Sequence, residues 1–337
     1  MSHTILVTGG AGFIGSNFIS YILSNANLRI VNLDALTYAG NLENLKDFEK
    51  NENYHFVKGT IQNSELVTYI CKRFEVYGII NFAAESHVDR SILNSRPFID
   101  TNVLGTQVLL DVAKDLKISK FLQVSTDEVY GSLGETGLFT EDTPLSPNSP
   151  YSASKASADM LVNAYHHTFG LPTLITRCSN NYGPFQFPEK LIPLMILNAL
   201  ENKELPVYGN GLNIRDWIHV QDHCSAIWTV FQKGVIGQVY NVGGKCERKN
   251  IDIVKTILNI LEKPETLIRY VKDRPGHDQR YAIDNSKIQK ELDWVPKYNF
   301  ETALKETINW YLNNKDWCLN VRSGAYKEYY NNQYNGK

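Results

Sequence analysis

Ile5-Leu6-Val7-Thr8-Gly9-Gly10-Ala11-Gly12-Phe13-Ile14-Gly15 is the stretch that decides the fold. Its first four residues read as a buried strand, its glycines as a tight turn, and the following run from Ser16 to Ser24 as a helix. Read from Gly10, the glycine spacing is G-x-G-x-x-G. Such a turn needs positive φ, and backbone N–H groups can approach a pyrophosphate only where no side chain intervenes. The helix N-terminus adds positive potential for the same anion. A second strand, Arg29 to Asp34, ends on a carboxylate nineteen residues past Gly15. That is close to the ~20 expected for the acid that hydrogen-bonds the ribose hydroxyls of a dinucleotide. A carboxylate there repels a 2′-phosphate, which favours NAD over NADP.

Working outward, further short apolar runs at Gly78 to Ala84, Phe121 to Ser125 and Leu174 to Arg177 alternate with helix-like stretches at Glu65 to Phe74, Asn102 to Leu116 and Ser152 to Phe169. This alternation predicts an α/β fold, a doubly wound parallel sheet covered by helices on both faces. Gly134 to Pro150, with prolines at 144, 147 and 150, reads as a surface loop leading into Tyr151. Beyond Asn180 the units shorten and prolines multiply, which predicts a smaller α+β C-terminal substrate domain. We therefore expect residues 1–180 to bind the dinucleotide, with Asp216 to Val220 and Gln238 to Val242 (within about 215–242) available to return strands to that domain. Residues 181–337 are expected to hold mainly the substrate.

The 337 residues carry a formal net charge of −2, with 43% hydrophobic and 21% charged residues, as in an ordinary soluble globular chain. No global attraction to nucleic acid or to an anionic membrane follows from that charge. No run approaches the ~18 apolar residues of a membrane span, and the N-terminus lacks a signal-peptide pattern. Five scattered cysteines suit free thiols in a reducing compartment, so a cytoplasmic location is expected. His219 and His223 have helical spacing but no acidic or thiol cluster around them, so no metal is expected.

Tyr151-Ser152-Ala153-Ser154-Lys155 places a phenol and an ammonium one helical turn apart. A tyrosine titrating near ~10 can act as a base at neutral pH only beside positive charge, which Lys155 and a nicotinamide ring could supply. Upstream, Thr126-Asp127-Glu128 sets two carboxyls side by side directly after a strand. Neighbouring carboxyls resist joint ionisation, so one can serve as acid while the other serves as base.

The glycine loop, Asn81-Phe82-Ala83-Ala84-Glu85-Ser86-His87-Val88-Asp89-Arg90, Thr101-Asn102-Val103-Leu104-Gly105-Thr106, the Tyr/Lys pair and Arg215-Asp216-Trp217-Ile218-His219-Val220 together resemble the extended short-chain dehydrogenases/reductases, over nearly the whole chain. Val124-Ser125-Thr126-Asp127-Glu128-Val129-Tyr130-Gly131 and Asp273-Arg274-Pro275-Gly276-His277-Asp278 resemble the dTDP-glucose 4,6-dehydratase family in particular. Sugar epimerases and decarboxylases of the same build usually lack the acid at the position of Asp127. The resemblance implies a Rossmann-type sheet, NAD as cofactor, dTDP-glucose as substrate and a homodimer built on helices within Asp100 to Leu116 and Ser152 to Phe169.

It also implies roles. Tyr151, with Lys155, would take the C4 hydroxyl proton as C4 is oxidised, Glu128 would remove the C5 proton, Asp127 would protonate the departing C6 hydroxyl, and Thr126 would hydrogen-bond the C4 oxygen. NAD would be held by Gly9, Gly12, Phe13, Ile14, Gly15, Asp34, Thr37, Thr60, Ile61, Ala83, Ala84, Ser86, Thr101, Tyr151 and Lys155. The nucleotide sugar would be held by Ser86, His87, Thr126, Asn180, Lys190, Leu191, Pro206, Tyr208, Arg215, Asn250, Asp273, Arg274 and His277, with Arg215 and Arg274 on the diphosphate. One departure stands out: Thr60, in Lys58-Gly59-Thr60-Ile61, replaces an Asp that relatives use against adenine, so adenine recognition is expected to be weaker or backbone-mediated. Two other readings remain open at this level, a nucleotide-sugar 4-epimerase or decarboxylase and a non-catalytic NAD-sensing regulator.

Overall fold

The computed structural model describes residues 3–322, so the part of the expected C-terminal domain over 323–337 lies outside the described residues. Strand β1 (Thr4–Thr8) is wholly buried and runs through the glycine turn into helix α1 (Phe13–Asn25). β2 (Arg29–Asp34), β3 (Tyr54–Lys58), helix α2 (Ser64–Arg73) and β4 (Val76–Asn81) follow. Short helices α3 (Val88–Leu93) and α4 (Arg96–Phe98) lead through a π-helical turn, Ile99–Gly105, into α5 (Thr106–Asp115). Then come β5 (Lys120–Thr126), α6 (Pro150–Phe169), β6 (Thr173–Cys178) and β7 (Asn180–Tyr182). The later elements are α7 (Leu191–Leu200), β8 (Leu205–Tyr208), β9 (Ile214–His219), α8 (Val220–Lys233), β10 (Val239–Val242), β11 (Glu247–Lys249), α9 (Asn250–Ile260) and β12 (Ile268–Val271).

The main sheet has seven parallel strands in the order β10-β6-β5-β4-β1-β2-β3. One apolar core packs α1 and α8 on one face, through Phe18, Ile22, Ile227 and Phe231, while a second packs α2, α5 and α6 on the other through Val67, Ile70, Leu109 and Val162. This is the doubly wound α/β arrangement predicted from the alternating pattern. Because strand order reverses between β1 and β4, the loops leaving those two strands diverge and open a crevice at their carboxyl ends. The turn after β1 is held against the loop after β4: a Cβ on Gly9, whose φ is +68°, would lie 2.6 Å from the Ala83 nitrogen.

Gln238 to Val242 does return a strand, β10, to the main sheet. Asp216 to Val220 does not, because β9 lies instead between β7 and β11 in a separate three-stranded sheet. β8 and β12 form a third, two-stranded sheet. A separate apolar core, with Ile196, Leu197, Val254 and Ile257 among its members, gathers α7 and α9 against Leu304 and Ile308.

Local rules account for the helix that carries Tyr151. Ser149 caps α6 in a reciprocal box with Ser152, Pro150 occupies the first turn, and Gly170 ends the helix in the left-handed region at φ 66°. The expected continuous helix from Asn102 differs in detail, since Ile99–Gly105 is wound as a π-turn before α5 begins. That turn carries Asn102, whose buried amide accepts from Glu85 N at 2.9 Å and donates to Glu85 O at 2.9 Å and to Ser154 Oγ at 2.8 Å. A π-turn is rarely a chance irregularity. Here its residue fastens the loop after β4 to α6. Among the described residues, no helix is long and apolar enough to cross a membrane.

Candidate active site

The crevice is a cavity of about 350 Å³ lined from both halves of the fold. All of the residues expected to hold NAD border it: Gly9, Gly12, Phe13, Ile14, Gly15, Asp34, Thr37, Thr60, Ile61, Ala83, Ala84, Ser86, Thr101, Tyr151 and Lys155. Gly9 and Gly15 are glycines because the chain itself leaves no room; a Cβ on Gly15 would sit 2.3 Å from Gly9 O. Gly12 is different. It caps α1 at φ −77°, and its added Cβ would meet only Gly9 O, at 3.4 Å. Neither packing nor backbone conformation demands glycine there, which fits a surface kept bare for a pyrophosphate at the helix N-terminus.

Asp34 is buried and already serves the loop: its carboxylate accepts from Ala11 N at 2.9 Å and Leu36 N at 2.7 Å. Burial raises its pKa, and these two backbone bonds pull it back down.

At the carboxyl end of β5, Thr126 caps one turn of 3-10 helix, Asp127–Tyr130, by accepting from Glu128 N at 3.3 Å. This turn carries both acids into the cavity wall. Burial pushes Asp127 well above the usual carboxylate range, helped by the charges of Glu128 and Asp216. Its Oδ2 is buried without a hydrogen-bond partner among the described residues. Burial raises Glu128 as well, but Arg274, Arg215 and Lys190 oppose it. Both acids are thus raised, Asp127 further than Glu128, so Asp127 is the member of the pair that more readily holds a proton.

Tyr151 is 8% exposed, and the Thr126 side chain acts on its phenol in favour of the ionised form. Burial and the Glu128 charge raise its pKa well above that of an ordinary phenol. Lys155, expected to lend nearby positive charge to the phenol, has a buried ammonium, which must be satisfied and donates to Val124 O at 2.7 Å. Burial lowers its own pKa.

The residues expected to hold the nucleotide sugar separate into two groups. Ser86, Thr126, Asn180 and Lys190 line the cavity, and Lys190 Nζ donates to Ser86 O at 2.9 Å. His87, Leu191, Pro206, Tyr208, Arg215, Asn250, Asp273, Arg274 and His277 are not among its lining residues. Several of these lie just behind it. The Arg215 guanidinium donates to Ile214 O at 2.7 Å and Asp278 O at 2.9 Å, and rests 4.3 Å from the Tyr281 ring centroid. Arg274 donates to Asp89 at 3.1 Å, and His277 contacts Asp273 at 2.6 Å. Leu191 begins α7, Pro206 sits in β8, and Asn250 begins α9 with its N–H donated to Asn213 O at 3.0 Å. His219 stacks on Tyr298 at 4.1 Å and His223 meets the Asn181 amide at 2.9 Å, and burial pushes them down to about 4 and about 3.

One functional cluster was invisible in the sequence. Glu189, almost wholly buried, accepts from the Tyr38 hydroxyl at 3.0 Å and from Arg90 Nε at 3.2 Å, while the Arg90 guanidinium lies 4.0 Å from the Tyr38 ring centroid. It ties the loop after β2 and helix α3 to the segment before α7, three stretches far apart in the chain.

The family model described as GDP-mannose 4,6 dehydratase matches residues 6–307. A dTDP-glucose 4,6-dehydratase of Xanthomonas campestris is 55% identical over 342 residues, covering 96% of this chain and 97% of that protein. The chain belongs to the dTDP-glucose 4,6-dehydratase family. The solved dTDP-glucose 4,6-dehydratase of Bacillus anthracis, in complex with NAD, is 56% identical with a TM-score of 0.90, over 95% of this chain and all of that one. That of Streptomyces venezuelae, also with NAD bound, is 46% identical with a TM-score of 0.91, over 93% and 98%. The likeness spans the glycine loop, the acid pair and the sugar-side segments together.

Removing the Glu189 carboxylate leaves Arg90 and Tyr38 partly stranded inside the protein. Glu189→Ala should therefore cost about 3 kcal/mol of stability in chemical denaturation. An effect below about 0.5 kcal/mol, the ordinary scale of a surface change, would show that the cluster does not hold the three stretches together.

Proposed function

We propose that this protein converts dTDP-glucose to dTDP-4-keto-6-deoxyglucose with NAD as a recycled cofactor, for deoxysugar and specifically dTDP-rhamnose formation. The single observation that carries this reading is the buried carboxyl of Asp127, whose Oδ2 has no hydrogen-bond partner among the described residues, beside Glu128 and close to Tyr151. An epimerase has no leaving hydroxyl to protonate, so it leaves such an acid without work. The relatives from Xanthomonas campestris, Bacillus anthracis and Streptomyces venezuelae, 46–56% identical, are described as dTDP-glucose 4,6-dehydratases.

NAD would be held by the glycine loop, Asp34 and the Thr37, Thr60, Ile61, Ala83, Ala84, Ser86 and Thr101 wall, all of which border the crevice. When bound, it supplies the acceptor for the C4 hydride and returns that hydride to C6. Tyr151 takes the C4 hydroxyl proton, with positive charge from Lys155 and the nicotinamide ring offsetting the burial that disfavours its phenolate. Thr126, which acts on that phenol, would hold the same sugar oxygen. Glu128 removes the C5 proton, which the neighbouring C4 carbonyl has acidified. Asp127 gives its proton to the departing C6 hydroxyl, releasing water, and Glu128 reprotonates C5 as the C6 methyl forms.

Residues 1–180 with the returning β10 would serve the cofactor, and the segments beyond residue 181 mainly the nucleotide sugar. A homodimer would bury the apolar side chains that α5, α6 and the π-turn leave outside, among them Ile99, Leu104 and Met160 at 46%, 47% and 57% exposure. All five cysteines are free thiols, four of them buried, which supports a cytoplasmic enzyme.

Gly12→Ala tests the cofactor site apart from the fold. It should cost about 1 kcal/mol or less of stability, the scale of a cap change. NAD affinity by calorimetry should fall on the order of tenfold, about 1.4 kcal/mol. Unchanged affinity would place the pyrophosphate elsewhere.

Asp127→Asn tests the chemistry. Elimination should fall roughly 100-fold or more, the scale of a general acid. C4 oxidation, read as NADH absorbance in a single turnover, should fall much less. Because Glu128 must be ionised and its pKa is raised, the wild-type rate should decline as pH falls through a value above that of an ordinary glutamate. Because Asp127 must be protonated, the rate should also decline as pH rises through its own raised value. Equal losses of oxidation and elimination in Asp127→Asn would remove it as the leaving-group acid.

A further inference from the structure

Asp89 stands in the first turn of α3, 8% exposed, and each of its carboxylate oxygens takes one donor from the C-terminal half of the chain. Arg274 Nη1 donates to Oδ1 at 3.1 Å, and the Tyr208 hydroxyl donates to Oδ2 at 3.0 Å. These are two of the groups assigned to the nucleotide side of the substrate. A carboxylate that spans a guanidinium and a hydroxyl presents to them the geometry and charge that a pair of phosphate oxygens would present.

The surroundings are cationic. Arg90, Lys190 and Arg274 all act on the buried His87 ring and disfavour its charged form, although burial itself is the larger cause. Glu189 balances Arg90, whereas the Lys190 ammonium is bonded to a backbone carbonyl. Arg274 has its ion pair with Asp89, and its Nε is buried with no hydrogen-bond partner among the described residues. A largely covered guanidinium needs anions nearby, and Asp89 is the one that ion-pairs with Arg274 directly, with the Glu128 charge acting on it as well. A diphosphate arriving at Arg274 and Tyr208 meets an anion already in place, and two like charges at one site repel strongly where water is excluded.

We infer that Asp89 is an internal stand-in for the diphosphate of the nucleotide sugar: it occupies Arg274 and Tyr208 in the free protein and is displaced when substrate binds. This inference rests on the proposed reading of the substrate as a nucleoside-diphosphate sugar. Asp89 is in this sense a positioning residue. It keeps Arg274 ordered before binding and weakens binding by competing for it. The trade sets substrate affinity and release, and a scaffold carboxylate that stayed on Arg274 throughout would have the opposite effect on affinity.

The test titrates dTDP and dTMP into NAD-loaded wild type, Asp89→Asn and Asp89→Ser. Both variants should melt lower than wild type when free, because Arg274 loses its anion. Both should bind dTDP about five- to tenfold more tightly, with a smaller gain for dTMP, which lacks the second phosphate. In the wild-type complex with dTDP, the hydrogen bond between Asp89 and Arg274 should be broken; that observation holds even if neither variant folds. If dTDP binds the variants equally or more weakly, or the complex keeps the Asp89–Arg274 bond, Asp89 is a scaffold and the inference fails alone. If wild type binds NAD but no dTDP, the nucleotide-sugar reading fails and takes this inference with it.

Discussion

Removal of Asp127 from water beside a second carboxyl is the constraint on which the rest of the site depends. Two neighbouring carboxylates cannot both stay charged in such a place, and the protein resolves the conflict asymmetrically. Asp127 has a buried oxygen without a partner among the described residues and the charge of Glu128 against it, so its proton is held more tightly. Glu128 lies within reach of Arg274, Arg215 and Lys190, so it can lose one. Those cations come from β9, the segment before α7 and the loop after β12. The later half of the chain therefore tunes chemistry whose residues sit on the first.

The same division of labour shapes the architecture. The parallel sheet brings the ends of β1, β4 and β5 to one crevice, because strand order reverses between β1 and β4. Buried polar contacts help join the later segments to that crevice. Glu189 joins Tyr38 to Arg90, Asp89 joins Arg274 to Tyr208, and Asn102 fastens the loop after β4 to α6. Such contacts contribute little net stability, since desolvation offsets much of the attraction, but they fix where each loop must lie.

Much of this was legible in the sequence, for identifiable reasons. The glycine loop, Asp34 and the Tyr151/Lys155 pair are local signals: spacing along one strand, turn or helical turn sets their geometry. The acid pair is equally local, and Asp127 with Glu128 needed only a strand end and a turn to face the cavity. What stayed hidden depends on partners distant in the chain. Nothing in the residues around Glu189 points to Tyr38, 151 positions away, and nothing around Asp89 points to Arg274, 185 positions away. β9 reads as a strand but not as a member of a separate sheet, because its apolar pattern suits either place. One helical turn brings Lys155 near Tyr151 but does not reveal that its ammonium also donates to Val124 O.

Oxidation at C4 is coupled to loss of the C6 hydroxyl within one site. Incubating the protein and NAD with dTDP-glucose deuterated at C4, and following the product by NMR and mass spectrometry, checks that coupling. The product should be a 4-keto sugar whose new C6 methyl group carries the deuterium that left C4. Deuterium retained at C4 of an intact hexose, epimerised or not, would contradict it.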